Sequence, residues 1–99
     1  MTTILEKAIA TYGKDMQLNV AIEEFSELTK EICKHKRGAD NPASIIEEMA
    51  DCYIMLEEMQ IIFGLSGETV ADEIIRKVDR LEKRLEEKKG ANYEQTETN

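Results

Sequence analysis

Two short acidic motifs in this chain have the residue types and the spacing to bind a metal ion. The first is Glu24-x-x-Glu27, inside the stretch IEEFSE, and the second is Glu48-x-x-Asp51, inside IEEMAD. Helical residues three apart lie on the same face, so each motif places two carboxylates side by side. Both motifs lie among apolar residues, where core side chains are expected.

Four carboxylates that meet in one place either take up protons or bind a cation. Two unit charges about 4 Å apart repel by about 4 kcal/mol at an effective dielectric constant of 20. Each motif alone is more often a solvated helix face, but two on adjacent antiparallel helices favour a metal site. Oxygen ligands without histidine or cysteine select a hard ion, Mg²⁺ first and Mn²⁺ second. Glu23 and Glu47 point about 100° away and are excluded from the site.

Four helices are predicted to position the motifs. The first spans residues 2–12, the second ends at about residue 37, the third ends at about residue 63, and the fourth spans residues 67–88. Gly13 and Gly38 end the first two helices. The predicted caps are Asp15 for the second helix, either Asn41 or the Ser44-x-x-Glu47 box for the third, and Ser66 for the fourth. The predicted apolar stripes are Ile4, Leu5, Ala8, Ile9 and Tyr12; Leu18, Ile22, Phe25, Leu28, Thr29 and Ile32; and Val70, Ile74, Ile75, Val78, Leu81 and Leu85.

The composition predicts a single all-α domain over residues 1–88, with a disordered polar tail over 89–99. The chain has 99 residues, no tryptophan and one proline, and 34% of its residues are charged. Its net charge of −8 argues against a nucleic-acid partner. No apolar run approaches the roughly 20 residues of a membrane span, and no signal peptide is evident. Cys33 and Cys52 fit free thiols in a reducing cytoplasm.

The two motifs, separated by 20 residues, resemble the signature of the all-α nucleoside triphosphate pyrophosphohydrolases, the MazG-like group. The surrounding segments AIEEFSEL and IIEEMADCYIML fit the same pattern, and the resemblance covers roughly residues 17–85. It implies a four-helix bundle completed by oligomerisation, as a homodimer or homotetramer. It also implies Mg²⁺-dependent hydrolysis between the α- and β-phosphates of a nucleoside triphosphate, giving the monophosphate and pyrophosphate.

The resemblance also implies roles for individual residues. The metal ligands would be the four motif acids, Glu24, Glu27, Glu48 and Asp51. Glu27 would additionally orient the attacking water or take its proton. Lys77 and Arg80 on the last helix would hold phosphates, although a solvated surface explains them equally well. Gln17, on the same helix face as the first motif, is a candidate contact to the base.

Two other functions stay open on the sequence. Charged helices that expose methionines are typical of an interaction or adaptor protein, in which the acids form a recognition surface. An inactive member of the family would bind nucleotide without hydrolysing it. Only the enzyme requires Mg²⁺ for its function. In every case the small core predicts an obligate homo-oligomer with the second and third helices near the interface.

Overall fold

The computed structural model describes the backbone of residues 2–98 and the side chains of residues 3–90. Within that range the chain forms four helices and no strand: α1 (Thr2–Tyr12), α2 (Lys14–Lys36), α3 (Pro42–Ile62) and α4 (Gly67–Thr98). The predicted all-α class with four helices is confirmed. Two compact units can be separated, Met1–Leu65 with α1 to α3 and Ser66–Asn99 with α4. Across the described residues, every helix is too short or too polar to cross a lipid bilayer.

Glycines with left-handed backbone conformations separate α1 from α2 and end α2. Gly13 has a φ of 91° and Gly38 a φ of 101°, values that side chains with a Cβ rarely adopt. Beyond Gly38, the Ala39 N–H donates to the carbonyl of Lys34 at 3.0 Å, which satisfies a carbonyl of the last turn. The prediction of Asp15 as a cap is wrong, because Gly13 occupies the cap position and Asp15 lies in the first turn.

Asn41 occupies the cap position of α3, as one of the two predicted starts requires. Pro42 follows at the first helical position, which its fixed φ suits. The alternative start at Ser44 is wrong, because the helix has already begun two residues earlier. Ser66 caps α4 as predicted: its Oγ accepts a hydrogen bond from the Thr69 N–H at 3.2 Å.

Helix α4 runs further than the sequence predicted. It ends at Thr98, whereas the predicted helix ends at residue 88 and a polar tail follows. The residues after 88 include only one strong helix breaker, Gly90, which costs about 1 kcal/mol relative to alanine. The division of the chain into a domain and a disordered tail at residue 88 stays a prediction.

The core of the first unit is small, and α1 packs on both α2 and α3. Its buried apolar residues come from all three helices: Leu5, Ile9, Ala21, Cys52, Met55 and Ile62. In α1 the burial is limited to one narrow line, so Ile4 and Tyr12 of the predicted stripe are 66% and 65% exposed. A core of this size supplies limited stabilisation to a chain of 99 residues.

The buried face of α2 differs from its predicted apolar stripe. Ile22 and Ile32 are 64% and 46% exposed, whereas Gln17 and Ala21 are buried. Leu28 is half-buried at the edge of the buried face. A small buried residue such as Ala21 permits close helix packing, whereas the larger Ile22 and Ile32 point outward.

Candidate metal centre

The facing surfaces of α2 and α3 carry most of the acidic motif residues. The connection over residues 37–41 is short, which makes the two helices antiparallel neighbours. Asn41 at the start of α3 contacts Glu31 near the end of α2. Further along, the Cys52 thiol donates to the backbone carbonyl of Glu24 at 3.4 Å. The middle of α2 therefore lies against the middle of α3, where the two motifs meet.

Three carboxylates converge at this interface. One oxygen from each of Glu24, Glu48 and Asp51 lies within 4.8 Å of the other two, and all three residues are half-buried. Glu27, the fourth predicted ligand, is exposed and lies outside this group of three. It remains close enough for its charge to act on both Glu24 and Glu48. The structure thus brings three of the four predicted ligands together and leaves Glu27 at the rim.

Glu24 and Asp51 interact directly within the cluster. Burial raises the pKa of Glu24, and so do its hydrogen bond with Asp51 and the negative charges of Asp51, Glu48 and Glu27. A hydrogen bond between two carboxyl groups requires a proton on one of them. Burial and the clustered negative charges therefore favour the protonated form of Glu24 more than in an isolated glutamate.

Glu48 has an oxygen that the protein does not satisfy. Its Oε2 atom is buried and has no hydrogen-bond partner among the described residues. Burial raises the pKa of Glu48, and the charges of Asp51, Glu27, Glu47 and Glu31 raise it further. A buried carboxylate oxygen without a donor is costly unless a cation or a proton compensates its charge.

The donor set fits a hard divalent cation. It consists of carboxylate oxygens, the ligands that Mg²⁺ and Mn²⁺ prefer in proteins. Oxygens in adjacent positions around Mg²⁺ are about 3 Å apart, since each Mg²⁺–O bond is about 2.1 Å long. A spacing of up to 4.8 Å reaches that value with small side-chain rotations. Glu23 and Glu47 are exposed and contribute no oxygen to the group, as their predicted orientation requires.

Cys52 lies against the backbone of the cluster. It is 6% exposed, and its hydrogen bond to the Glu24 carbonyl links α3 to α2. Burial raises the pKa of the Cys52 thiol, and the charges of Glu24, Glu48 and Asp51 add to that effect. Since the thiolate is the reactive form of cysteine, this environment makes Cys52 a structural residue and an unsuitable nucleophile.

A second polar contact lies toward the α2–α3 connection and was not predicted. The Asn41 amide donates to the Glu31 Oε2 at 2.6 Å and to the Glu31 backbone carbonyl at 3.0 Å. The hydrogen bond from Asn41 and the neighbouring charge of Lys34 lower the pKa of Glu31. Glu31 is therefore anionic and engaged with other residues, which distinguishes it from Glu24 and Glu48. Glu31 lies seven residues after Glu24 and therefore on the same helix face, but no sequence signal indicates its partner.

A third polar pair lies on the opposite side of the cluster, two helical turns away. Gln17 is 7% exposed and Glu58 only 2% exposed. With its nitrogen oriented toward α3, the Gln17 amide donates to both Glu58 oxygens, at 3.0 and 2.9 Å. Burial raises the pKa of Glu58. Sequence reasoning missed Glu58, although it lies seven residues after Asp51 and therefore on the same helix face.

An apolar groove lies beside the acidic cluster in the same unit. Its volume is about 290 Å³, and its lining residues are Phe25, Leu28, Met49, Cys52, Tyr53 and Leu56. Phe25 directly follows Glu24, and Cys52 directly follows Asp51. The groove therefore offers apolar and aromatic surface within one residue of two cluster acids. Lys77 and Arg80 are exposed residues of α4, in the second unit, and their predicted phosphate-binding role stays a prediction.

Comparison of the chain with protein-family models, with curated proteins and with solved structures gives no match. The resemblance to the MazG-like group therefore rests on the two motifs and their spacing alone. What the structure adds is independent of that resemblance. It is the convergence of Glu24, Glu48 and Asp51 on adjacent helices.

Proposed function

We propose that this protein is a Mg²⁺-dependent nucleoside triphosphate pyrophosphohydrolase that releases a nucleoside monophosphate and pyrophosphate. The observation that carries the proposal is the convergence of three half-buried carboxylates from α2 and α3. It is supported by the buried Glu48 oxygen without a partner. Mg²⁺ held by carboxylates in proteins usually acts on phosphate groups of a substrate, and Mn²⁺ is the alternative ion.

The acidic residues of α2 and α3 have two roles in this proposal. Glu24, Glu48 and Asp51 hold the cation, which supplies charge stabilisation to the phosphate oxygens when bound. Glu27 is exposed at the rim, where its carboxylate can turn inward as a fourth ligand. From there it can also orient a water molecule or accept its proton.

The groove beside the cluster supports a nucleotide as the substrate. Phe25 and Tyr53 offer aromatic faces to a flat base. Lys77 and Arg80 are proposed to neutralise charge on the leaving pyrophosphate. Gln17 as a base contact requires its amide to leave Glu58, because the two side chains are paired and buried.

The protein is proposed to work as a homodimer or homotetramer in a reducing cytoplasm. Its small core and its exposed large apolar residues support an oligomer. Cys33 and Cys52 are free thiols, which suits a reducing compartment. The net charge of −8 argues against a nucleic acid as a partner.

The proposal is tested by incubating the protein with a panel of ribo- and deoxynucleoside triphosphates and Mg²⁺, with products read by ³¹P NMR. Pyrophosphate with a monophosphate is the expected result. Orthophosphate with a diphosphate would mean attack at the γ-phosphorus and would overturn the proposal. EDTA should abolish turnover. Glu48→Gln should reduce turnover strongly, and Glu47→Gln serves as the matched control one residue away.

A helical interaction protein is the second candidate, and one observation favours it. Ile22, Ile46 and Tyr53 on α2 and α3 are 64%, 67% and 66% exposed, and exposed apolar surface is typical of binding faces. A nucleotide-binding relative without activity is a variant of the first proposal. Absence of turnover together with Mg²⁺-independent binding of another protein would favour the adaptor. Nucleotide binding without turnover would favour the inactive relative.

A further inference from the structure

Helix α4 carries an apolar stripe that remains exposed. Ile74, Val78, Leu81 and Leu85 are 56%, 56%, 52% and 58% exposed, and Ala71 at the start of the stripe is exposed as well. The sequence predicted an apolar stripe of Val70, Ile74, Ile75, Val78, Leu81 and Leu85 on this helix. A folded chain rarely leaves four large apolar side chains in one line more than half exposed. Such a stripe is typical of a binding face.

The spacing along the stripe is that of a coiled coil. From Ala71 to Leu85 the intervals alternate between three and four residues, which corresponds to a repeat of 3.5 residues per turn. In the usual heptad letters, Ala71, Val78 and Leu85 occupy a positions, and Ile74 and Leu81 occupy d positions. The seam ends there, because the next d position is a lysine, Lys88.

Two ion pairs lie on the outer face of α4. Arg76 pairs with Glu73, and Lys83 pairs with Asp79 at 3.3 Å. All four residues occupy b, c and f positions, which face away from the seam. Lys77 and Glu82 take part in neither pair, and they occupy the g and e positions that border the seam.

These bordering charges select one arrangement of two α4 helices. In a parallel pair, the g position of one helix lies beside the following e position of the other. Lys77 then lies beside Glu82 of a second copy, twice per dimer. In an antiparallel pair, g positions lie beside g positions, so Lys77 meets Arg84, a like charge. The like-charged pair that the parallel arrangement creates, Arg84 beside Lys89, lies beyond the last apolar layer at Leu85.

We infer that α4 is a homodimerisation helix, which pairs in parallel and in register with α4 of a second copy. The seam consists of Ala71, Ile74, Val78, Leu81 and Leu85, and Lys77 and Glu82 form the ion pairs that flank it. This inference does not depend on the proposed hydrolase activity. It does compete with the phosphate-binding role proposed for Lys77, whereas Arg80 at a c position remains outside the seam.

The full-length chain with single cysteines tests the inference. Cys33→Ser and Cys52→Ala remove the native thiols, and Val78→Cys or Leu81→Cys then places one thiol in the seam. In a parallel, in-register dimer each seam position faces its own copy, so either variant alone should form a disulfide-linked dimer under mild oxidation. Lys83→Cys on the outer face is the control and should remain uncrosslinked. Circular dichroism of each variant checks that the helices are retained.

Two results would overturn the inference. Crosslinking only in a mixture of the Val78→Cys and Leu81→Cys variants would indicate an antiparallel pair. A failure of both variants to crosslink while their helix content is unchanged would mean that no second α4 lies on the stripe.

Charge reversal gives a second, independent readout in the Leu81→Cys background. Lys77→Glu or Glu82→Lys alone should weaken the α4 association about tenfold, because each change turns two attractive exposed pairs into repulsive ones. The double variant should restore crosslinking to the level of the parent. Tighter association of Lys77→Glu, or no change in it, would refute the parallel arrangement. If the restored double variant still lacks hydrolase activity, Lys77 serves the phosphates as well as the seam.

Discussion

Replacing Glu24 by glutamine is expected to stabilise the protein without a cation and to destabilise it, relative to wild type, with Mg²⁺. Without a cation, glutamine removes a charge that repels Glu48 and Asp51. Its amide can also donate a hydrogen bond to Asp51, which an ionised Glu24 cannot do. With Mg²⁺, the same change removes one of three carboxylate ligands.

The geometry of the cluster sets the size of the first effect. The carboxylate oxygens lie within 4.8 Å of one another. Two unit charges at that distance repel by about 3.5 kcal/mol at a dielectric constant of 20 and by about 0.9 kcal/mol in water. Because Glu24 is only half-buried and solvent screens its charge, the expected gain is near the lower value, about 1 kcal/mol. For a domain of this size, that gain raises the melting temperature by roughly 4–8 °C.

The effect of the cation has the opposite sign. Mg²⁺ at about 100 times its dissociation constant stabilises the wild-type protein by about 2.7 kcal/mol. If the loss of one ligand weakens binding about hundredfold, the same concentration stabilises the variant by only about 0.4 kcal/mol. The variant should therefore melt above wild type in EDTA and below it in saturating Mg²⁺.

Thermal melts followed by circular dichroism measure both effects at one fixed protein concentration, since oligomers melt in a concentration-dependent manner. Glu23→Gln is the matched control, because it removes the same charge from an exposed neighbour and should show no inversion. The reasoning is refuted if Glu24→Gln melts below wild type in EDTA, or if Glu23→Gln shows the same inversion.

Three further predictions concern the same helix pair. Glu48→Gln should reduce Mg²⁺-dependent turnover by at least about tenfold, as expected for a lost charge-stabilising contact. Glu47→Gln should leave turnover unchanged. Equal losses for both variants in steady-state assays would mean that the assignment of which α3 residues face the cluster is wrong. Burial holds the pKa of Glu24 and of Glu48 above the ordinary glutamate value of 4.5. The free energy of unfolding of the cation-free protein should therefore fall as the pH rises from 4.5 through the raised pKa values. Urea titrations should detect this fall, and Mg²⁺ should reduce it. Gln17→Leu should lower the free energy of unfolding measured in urea by about 2 kcal/mol, because it leaves the buried Glu58 carboxylate without a donor. Adding Glu58→Leu should recover most of that loss. A stabilising effect of Gln17→Leu would contradict the pairing.

The sequence was sufficient for the presence of four helices and for the facing of Glu24, Glu48 and Asp51, because both depend on local signals. Gly38 and the Asn41-Pro42 pair mark the end of α2 and the start of α3 within one residue. Within a helix, the 3.6-residue period then fixes which acids share a face, whatever the helix packs against. These predictions needed no knowledge of distant residues.

What the sequence did not predict depends on how closely two helices approach. Hydrophobicity assigned Ile22 to the core, yet the buried residues of α2 are the smaller Ala21 and the polar Gln17. Glu58 looks like a solvated residue in the stretch LEEMQ, and its burial becomes evident only once Gln17 is placed opposite it. The exposure of Glu27 likewise depends on the rotation of α2 against α3, which no local pattern specifies.

The distribution of polar residues along the α2–α3 interface is itself an argument for a ligand. Buried acids are paired with donors on both sides of the cluster, Glu58 with Gln17 and Glu31 with Asn41. Between them, the cluster includes the buried Glu48 oxygen that no described residue satisfies. Well-packed apolar side chains at these positions would often be as stable or more stable. A fold with so small a core has little stability to lose, and departures from local rules of this kind concentrate at functional sites. The contrast between these paired acids and the unpaired Glu48 oxygen supports the proposed cation site.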